Sequence, residues 1–186
     1  MTLRVVEYVR EDGSVPFKHW FERLDPHAAA KVTTAVTRLG LGNTSNVKWF
    51  SGIGELKVDW GPGYRIYLAK DGDALVVNDM ALTRGFKDTV VARVRRDPKF
   101  ARALLDESAT LFLNGEPEAA RLLLRDLVNA TVGFEALAHM TDKPAKSLHR
   151  MLSRHGNPGM DNLAAIFNAV RHRLKVGLKA QTVKAA

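Results

Sequence analysis

Apolar and polar positions follow two different periods in the first 77 residues and a single one after that. Residues 3–9, LRVVEYV, are β-branched and aromatic and predict a strand. Ser14 as an N-cap and Pro16 in the first turn then open a helix that carries Phe17, Trp20, Phe21 and Leu24 at three- and four-residue spacing. A second helix starts at Asp25-Pro26, places Ala28, Val32, Ala35, Val36 and Leu39 on one stripe, and stops at Gly40 and Gly42. From there the period is two. Leu56, Val58 and Trp60 alternate with Glu55, Lys57 and Asp59, and Ile66 and Leu68 alternate with Arg65 and Tyr67. Gly61-Pro62-Gly63 and Asp71-Gly72 are the turns between successive strands, the last being Ala74–Val77. The order is β-α-α-β-β-β, an α+β unit with a three- or four-stranded antiparallel sheet.

Past Val77 the pattern predicts helices only. They cover Phe86–Val94, Phe100–Leu113 after Pro98, and a leucine-rich stretch from Pro117 through Val128 that Gly133 closes. Three shorter ones follow at Phe134–Met140, Pro144–Ser153 and Met160–Lys175. The expected domains are 1–79, mixed α and β, and 80–186, all-α, joined by a short linker around Asn78–Thr83. The final residues, GLKAQTVKAA, are expected to fray.

Composition changes this picture in one place. Apolar residues at 46% and charged ones at 26% are ordinary for a globular protein. With no cysteine, disulfides and thiolate metal sites are excluded. The N-terminus lacks the apolar core of a signal peptide, and no stretch has the roughly 20 apolar residues of a membrane helix, so the cytoplasm is the expected location. The net charge of +8 is unevenly spread. Residues 1–79 carry ten Lys and Arg against ten Asp and Glu, whereas residues 139–186 carry nine against only Asp142 and Asp161. Such asymmetry points to a polyanion partner for the last quarter. There is no glycine-rich phosphate loop, no GxSxG and no His, Asp and Glu cluster at metal spacing, so a metabolic enzyme finds no support and no cofactor is implied. His19 and His27 are expected on helix surfaces.

The polyanion partner has a place to bind. In TDKPAKSLHRMLSRHGNP, Ala145, Leu148, Met151 and Leu152 form the core side of a helix, and Lys143, Lys146, His149, Arg150 and Ser153 the other. A donor-rich helix face suits phosphate oxygens and guanine edges in a major groove. Gly156 ends that helix and Asn157-Pro158 begins the next segment. The stretch LAHMTDKPAKSLHRMLSRHGNPGMDNLAAIF resembles Cro/C1-type helix-turn-helix repressors. With the preceding MALTRGFKDTVVARVRRDPKFARALLDESATLFLNGEPEAARLLLRDLVNATVGFEALA, it resembles the HigA-like antidotes of addiction modules over residues 80–178. The resemblance implies a helix-turn-helix at about 134–175, double-stranded operator DNA as partner, and a homodimer. Lys143, Lys146, Ser147, His149, Arg150, Arg154 and Arg171 are the candidate DNA contacts. Lys146 is read as a base reader, and Arg154 and Arg171 as phosphate contacts.

The first half has a matching resemblance. VVEYVREDGSVPFKHWFERLDPHAAAKV and GELKVDWGPGYRIYLAKDGDALVV are similar to HigB-like toxins of the RelE superfamily, of the phage-derived type. That family implies metal-independent cleavage of mRNA on the ribosome, with basic residues on the sheet polarising the scissile phosphate. Glu55, Lys57, Arg65 and Tyr67 are the matching candidates. If Trp60 pairs with Tyr64, Asp59 faces Arg65 and Lys57 faces Tyr67, and all these polar residues share one face of the hairpin. A complete toxin of this kind continues past ALVV with a longer strand, a loop and a closing helix. Here an antidote-like text begins at Met80, which reads as a buried former initiator. A toxin–antitoxin fusion is therefore expected, with its interferase-like half shortened and inactive or neutralised. Two other readings stay open: a pure repressor carrying a folded remnant, and a working RNase restrained by its own tail.

Overall fold

The computed structural model describes residues 3–72, 74–77 and 82–182. Met80, read above as a former initiator, lies outside the described residues. The chain divides into two compact units, residues 1–100 and residues 101–186.

The first unit is a sheet with helices on one face. Strand β1 (Arg4–Val9) leads to α1 (Pro16–Arg23) and α2 (Pro26–Gly40), then to β2 (Val47–Phe50), β3 (Ile53–Val58), β4 (Tyr64–Asp71), β5 (Ala74–Val77) and β6 (Leu82–Gly85), and to α3 (Phe86–Arg96). The two N-caps differ. Asp25 caps α2, its carboxylate accepting the backbone N–H groups of His27 and Ala28 at 3.0 Å. Val15, not Ser14, occupies the cap position of α1 and makes no side-chain bond to it. Pro16 is the residue that starts that helix, because its fixed φ suits the first turn and its missing N–H needs no partner there.

The sheet is larger than the sequence pattern predicts. It has six strands in the order β2-β3-β4-β5-β1-β6, and β1 runs parallel to β5. Two strands are additions to the expected set. β2, VKWF, pairs antiparallel with β3 across a tight turn at Ser51 and Gly52, both at positive φ. β6, LTRG, lies antiparallel to β1, in the segment expected to be linker followed by helix alone. The outer edge of β1 would otherwise present unpaired N–H and C=O groups, and four residues of β6 cover it.

The helices fill the other side. Leu56, Val58, Ile66, Leu68, Leu75 and Val77 point toward them and are buried, as are Phe17, Phe21, Val32, Val36 and Leu39 from α1 and α2. Each such side chain contributes about 1.5–3 kcal/mol by leaving water. Helix α3 belongs to the same core. Phe86 meets Phe17 and Phe21 edge to face at 5.5 and 5.6 Å, and Val90 and Val94 are buried. The Thr89 hydroxyl donates to the buried carboxylate of Glu7 at 2.7 Å. Arg93 is 3% exposed. Its guanidinium donates to the carbonyls of Phe21 and Leu24 at the end of α1 and lies 4.8 Å over the ring of Phe100.

The second unit is helical. It holds most of α4 (Pro98–Leu113), then α5 (Pro117–Thr131), α6 (Phe134–Thr141), α7 (Ala145–Met151) and α8 (Met160–Leu174). Ala120, Leu123, Leu124, Leu127 and Val128 of α5 are at most 1% exposed, so the leucine-rich helix is the centre of this core. Leu137, Leu148, Leu152, Ile166 and Val170 close around it. Among the described residues no helix is long and apolar enough to cross a membrane.

Candidate functional site

Helices α6 and α7 are joined by three residues. Asp142 takes a left-handed conformation, φ 51°, which turns the chain out of α6, and Pro144 then starts α7. Leu148 and Leu152 pin α7 to the core, and Lys146, His149 and Arg150 are exposed. Lys143 and Ser147 are half-buried at the start of the helix.

Two arginines of α5 hold the far end of α7. Arg121 is 7% exposed and donates to the carbonyls of Ser153 at 3.2 Å and Arg154 at 2.8 Å. Burial pulls its pKa below the ordinary arginine value, with Glu118 opposing. Arg125 donates to the carbonyl of His149 at 2.9 Å and lies 5.8 Å over the ring of Phe134. Gly156 is fixed by close approach. A Cβ there would stand 2.1 Å from the carbonyl oxygen of Met151, so no other residue fits the turn after α7 without moving backbone.

The candidate DNA contacts separate into groups. Lys146 and Arg150, one turn apart, share the exposed face of α7. The His149 ring stacks on Phe134, with centroids 3.6 Å apart and planes at 16°, and its Nδ1 faces Arg125. It braces α7 against α6. The carbonyl of Arg154 is tied to Arg121 and its side chain is half-buried. Arg171 lies on α8, where it donates to Asn168 at 2.8 Å and lines an open cleft with Ala164, Phe167 and Leu178.

In the first unit the candidate residues do share a face, although the expected register is replaced. Lys57 pairs with Arg65 and Glu55 with Tyr67, with Val58 opposite Tyr64. The connection is the five-residue loop 59–63 instead of a three-residue turn, with Gly61 and Gly63 both at positive φ. The displacement is two residues, and because side chains alternate, each stays on its face. Arg65 bonds Glu55 at 3.3 Å, and Lys57 bonds Asp59 at 2.7 Å. Lys57, Asp59, Trp60 and Arg65 line an open cleft of about 420 Å³ at the hairpin tip. A second cleft of about 480 Å³ lies on the same sheet, with Tyr8, Arg10, Ile53, Tyr67 and Ala69 in its walls. The face thus offers cations and phenols to a phosphate and its base. Two of its cations are already ion-paired.

No protein-family profile matches the chain, and no solved structure does. A protein of Haemophilus influenzae Rd, described as an uncharacterized protein, is 36% identical over 66 residues, which are 34% of this chain and 67% of that one. The chain belongs to the family of that protein.

Several contributors to these sites carry no signal in a single sequence. Arg121 and Arg125 look like ordinary charges on an amphipathic helix, and only the fold brings them to the carbonyls ending α7. Tyr8 sits on, and Arg10 just past, the strand that enters the sheet beside β5, far in sequence from Tyr67. Their alternation with Glu7 in VEYVR places them on one face, but the parallel pairing that brings them near β4 leaves no trace in local pattern.

Proposed function

We propose that this protein is a toxin–antitoxin fusion that acts as a sequence-specific, DNA-binding autorepressor, with an inactive or neutralised mRNA-interferase-like first unit. The reading rests on one observation above the others: the exposed face of α7 presents Lys146 and Arg150 one turn apart while the C-terminal half of the helix is held. A short helix reads base edges only if its orientation is fixed, and Pro144 with the stacked His149 and the Arg121 and Arg125 bonds supply that restraint. The surplus of positive charge in residues 139–186 supports a polyanion partner. The functional test is a reporter driven by the DNA upstream of the protein's own gene. Repression should be lost in Lys146→Ala and Arg150→Ala, and unchanged repression in both removes α7 from the account.

A second reading, an active ribosome-dependent endonuclease restrained by its own antitoxin half, gains support from β6 and α3. These elements complete the sheet and core of the first unit, so the loss of stability expected from a shortened toxin does not arise. Strong translation-dependent mRNA cleavage on expression of the chain, abolished by Arg65→Ala, would favour this reading. Absence of cleavage favours the repressor.

A further inference from the structure

His149 ties α7 to two other helices at once. Its ring stacks on Phe134 of α6, and both its carbonyl and its ring meet Arg125 of α5. One guanidinium nitrogen donates to the carbonyl at 2.9 Å, and the other lies 3.4 Å from the ring Nδ1. A guanidinium has donors and no acceptor, so Nδ1 takes this contact only with its lone pair. The imidazole is then neutral, with its proton on Nε2. Arg125 also lies 5.8 Å over the ring of Phe134, which is 6% exposed. A cation, a buried phenyl and a neutral imidazole thus close one corner between α5, α6 and α7. The imidazole is on the surface, where solvent protons reach it.

We propose that His149 is a proton-sensitive latch on α7: neutral, it fixes the helix for base reading, and protonated, it lets go of Arg125. The proposal rests on the reading of α7 as the DNA-reading helix. A proton taken from solvent occupies the Nδ1 lone pair, turns N–H toward N–H, and sets two like charges at hydrogen-bond distance. The face of Phe134 attracts a cation, but it already holds that of Arg125, so the stack does not offset the repulsion. No carboxylate does either. Glu135 and His139 of α6, Arg121 and Asp126 of α5, and Lys146 and Arg150 of α7 make no bond to the ring, which leaves Arg125 as its ionised partner among the described residues. Release of the ring gives α7 one more positive charge and one restraint fewer. These two effects act on different parts of DNA binding. Attraction to phosphate, which every sequence supplies, rises. Discrimination between bases, which needs a fixed helix, falls. Acid therefore exchanges sequence preference for indiscriminate binding.

Nuclear magnetic resonance of the full chain without DNA, at about pH 8 and about pH 5.5, spans the range in which imidazoles take up a proton and tests the latch. At the higher pH the ring nitrogen shifts of His149 should show a bare Nδ1 and a protonated Nε2. At the lower pH the hydrogen-exchange protection of α7 amides should fall about fivefold relative to those of α5. His149→Asn, which puts an oxygen acceptor near the place of Nδ1, and Arg125→Gln, which removes the opposing charge, should each abolish that response. His139→Gln and His155→Gln should leave it intact. Fluorescence anisotropy then compares the DNA upstream of the protein's own gene with a random duplex, and the preference for the former should fall about fivefold in acid in the parent but not in His149→Asn. A proton on Nδ1 at the higher pH, equal α7 protection at both, or a response that survives in His149→Asn would each overturn the proposal. Protection that responds as expected while neither duplex is preferred at either pH would uphold the latch and remove the DNA reading, so the two failures are distinguishable.

Discussion

Arg93 and Arg121 are both nearly buried, and each directs its guanidinium to backbone carbonyls just past the end of a neighbouring helix. The carbonyl of Phe21 also accepts from the Leu24 N–H and that of Ser153 from the Gly156 N–H, so there the arginines add a second, charged donor while closing α1 onto α3 and α7 onto α5. Removal of either side chain takes charged donors away from these carbonyls and leaves space among buried side chains. Arg93→Leu should cost about 2–4 kcal/mol in chemical denaturation. Arg121→Met should cost about 1–3 kcal/mol. A loss under about 0.5 kcal/mol in either would mean that water replaces the guanidinium. Glu22 adds a pH dependence. Burial raises its pKa, but the Arg96 guanidinium at 2.6 Å and the charge of Lys18 outweigh this and hold it below the ordinary glutamate value. A carboxylate with a depressed folded-state pKa contributes stability above its unfolded value and loses it on acidification. The chain should therefore weaken as the pH falls through the ordinary glutamate range, and Glu22→Gln should flatten that part of the profile. An identical acid limb in the variant would count against the ion pair.

At the scale of elements, the segment 82–96 has the largest consequence. Its sequence resembles the opening of an antidote, yet β6 covers the open edge of β1 and α3 delivers Phe86, Thr89, Val90 and Arg93 to the first unit's core. A fragment of residues 1–79 should consequently be unfolded or aggregated, and residues 1–100 should melt cooperatively. A cooperative transition in the shorter fragment would make α3 an accessory. The helices of both units were legible in the sequence because proline, glycine and Asp25 mark their ends and because their apolar stripes are long. β2 and β6 were not. Each has only four residues, too short to establish a period, and lacks the unbroken apolar run that marks the equally short β5; each forms because an adjacent strand offers a ladder. The site on β3 and β4 was legible for a different reason: a two-residue error in register leaves every side chain on its own face, so Glu55, Lys57, Arg65 and Tyr67 come together under either pairing. Arg121, Arg125 and the bracing role of His149 depend on contacts across 15 to 33 residues, which no local pattern carries.

At the scale of the molecule, the charge changes its meaning when counted by unit. Residues 1–100 hold sixteen Lys and Arg against twelve Asp and Glu, and residues 101–186 hold twelve against eight, so both units carry the same excess. Lys87, Arg95, Arg96 and Lys99, on or just after α3, account for most of what residues 80–100 add to the first unit's positive charge. The second unit's excess remains the more concentrated, lying wholly beyond residue 138 in α7, α8 and the segments that follow them. The central claim is that α7 reads DNA, and equilibrium binding to the DNA upstream of the protein's own gene, followed by fluorescence anisotropy over a range of salt concentrations, tests it most directly. The account predicts preference for a palindromic site, and a loss of about 1–3 kcal/mol and of sequence preference in Lys146→Ala and Arg150→Ala. Equal binding of all sequences by the parent, or variants that bind as the parent does at every salt concentration, would contradict it.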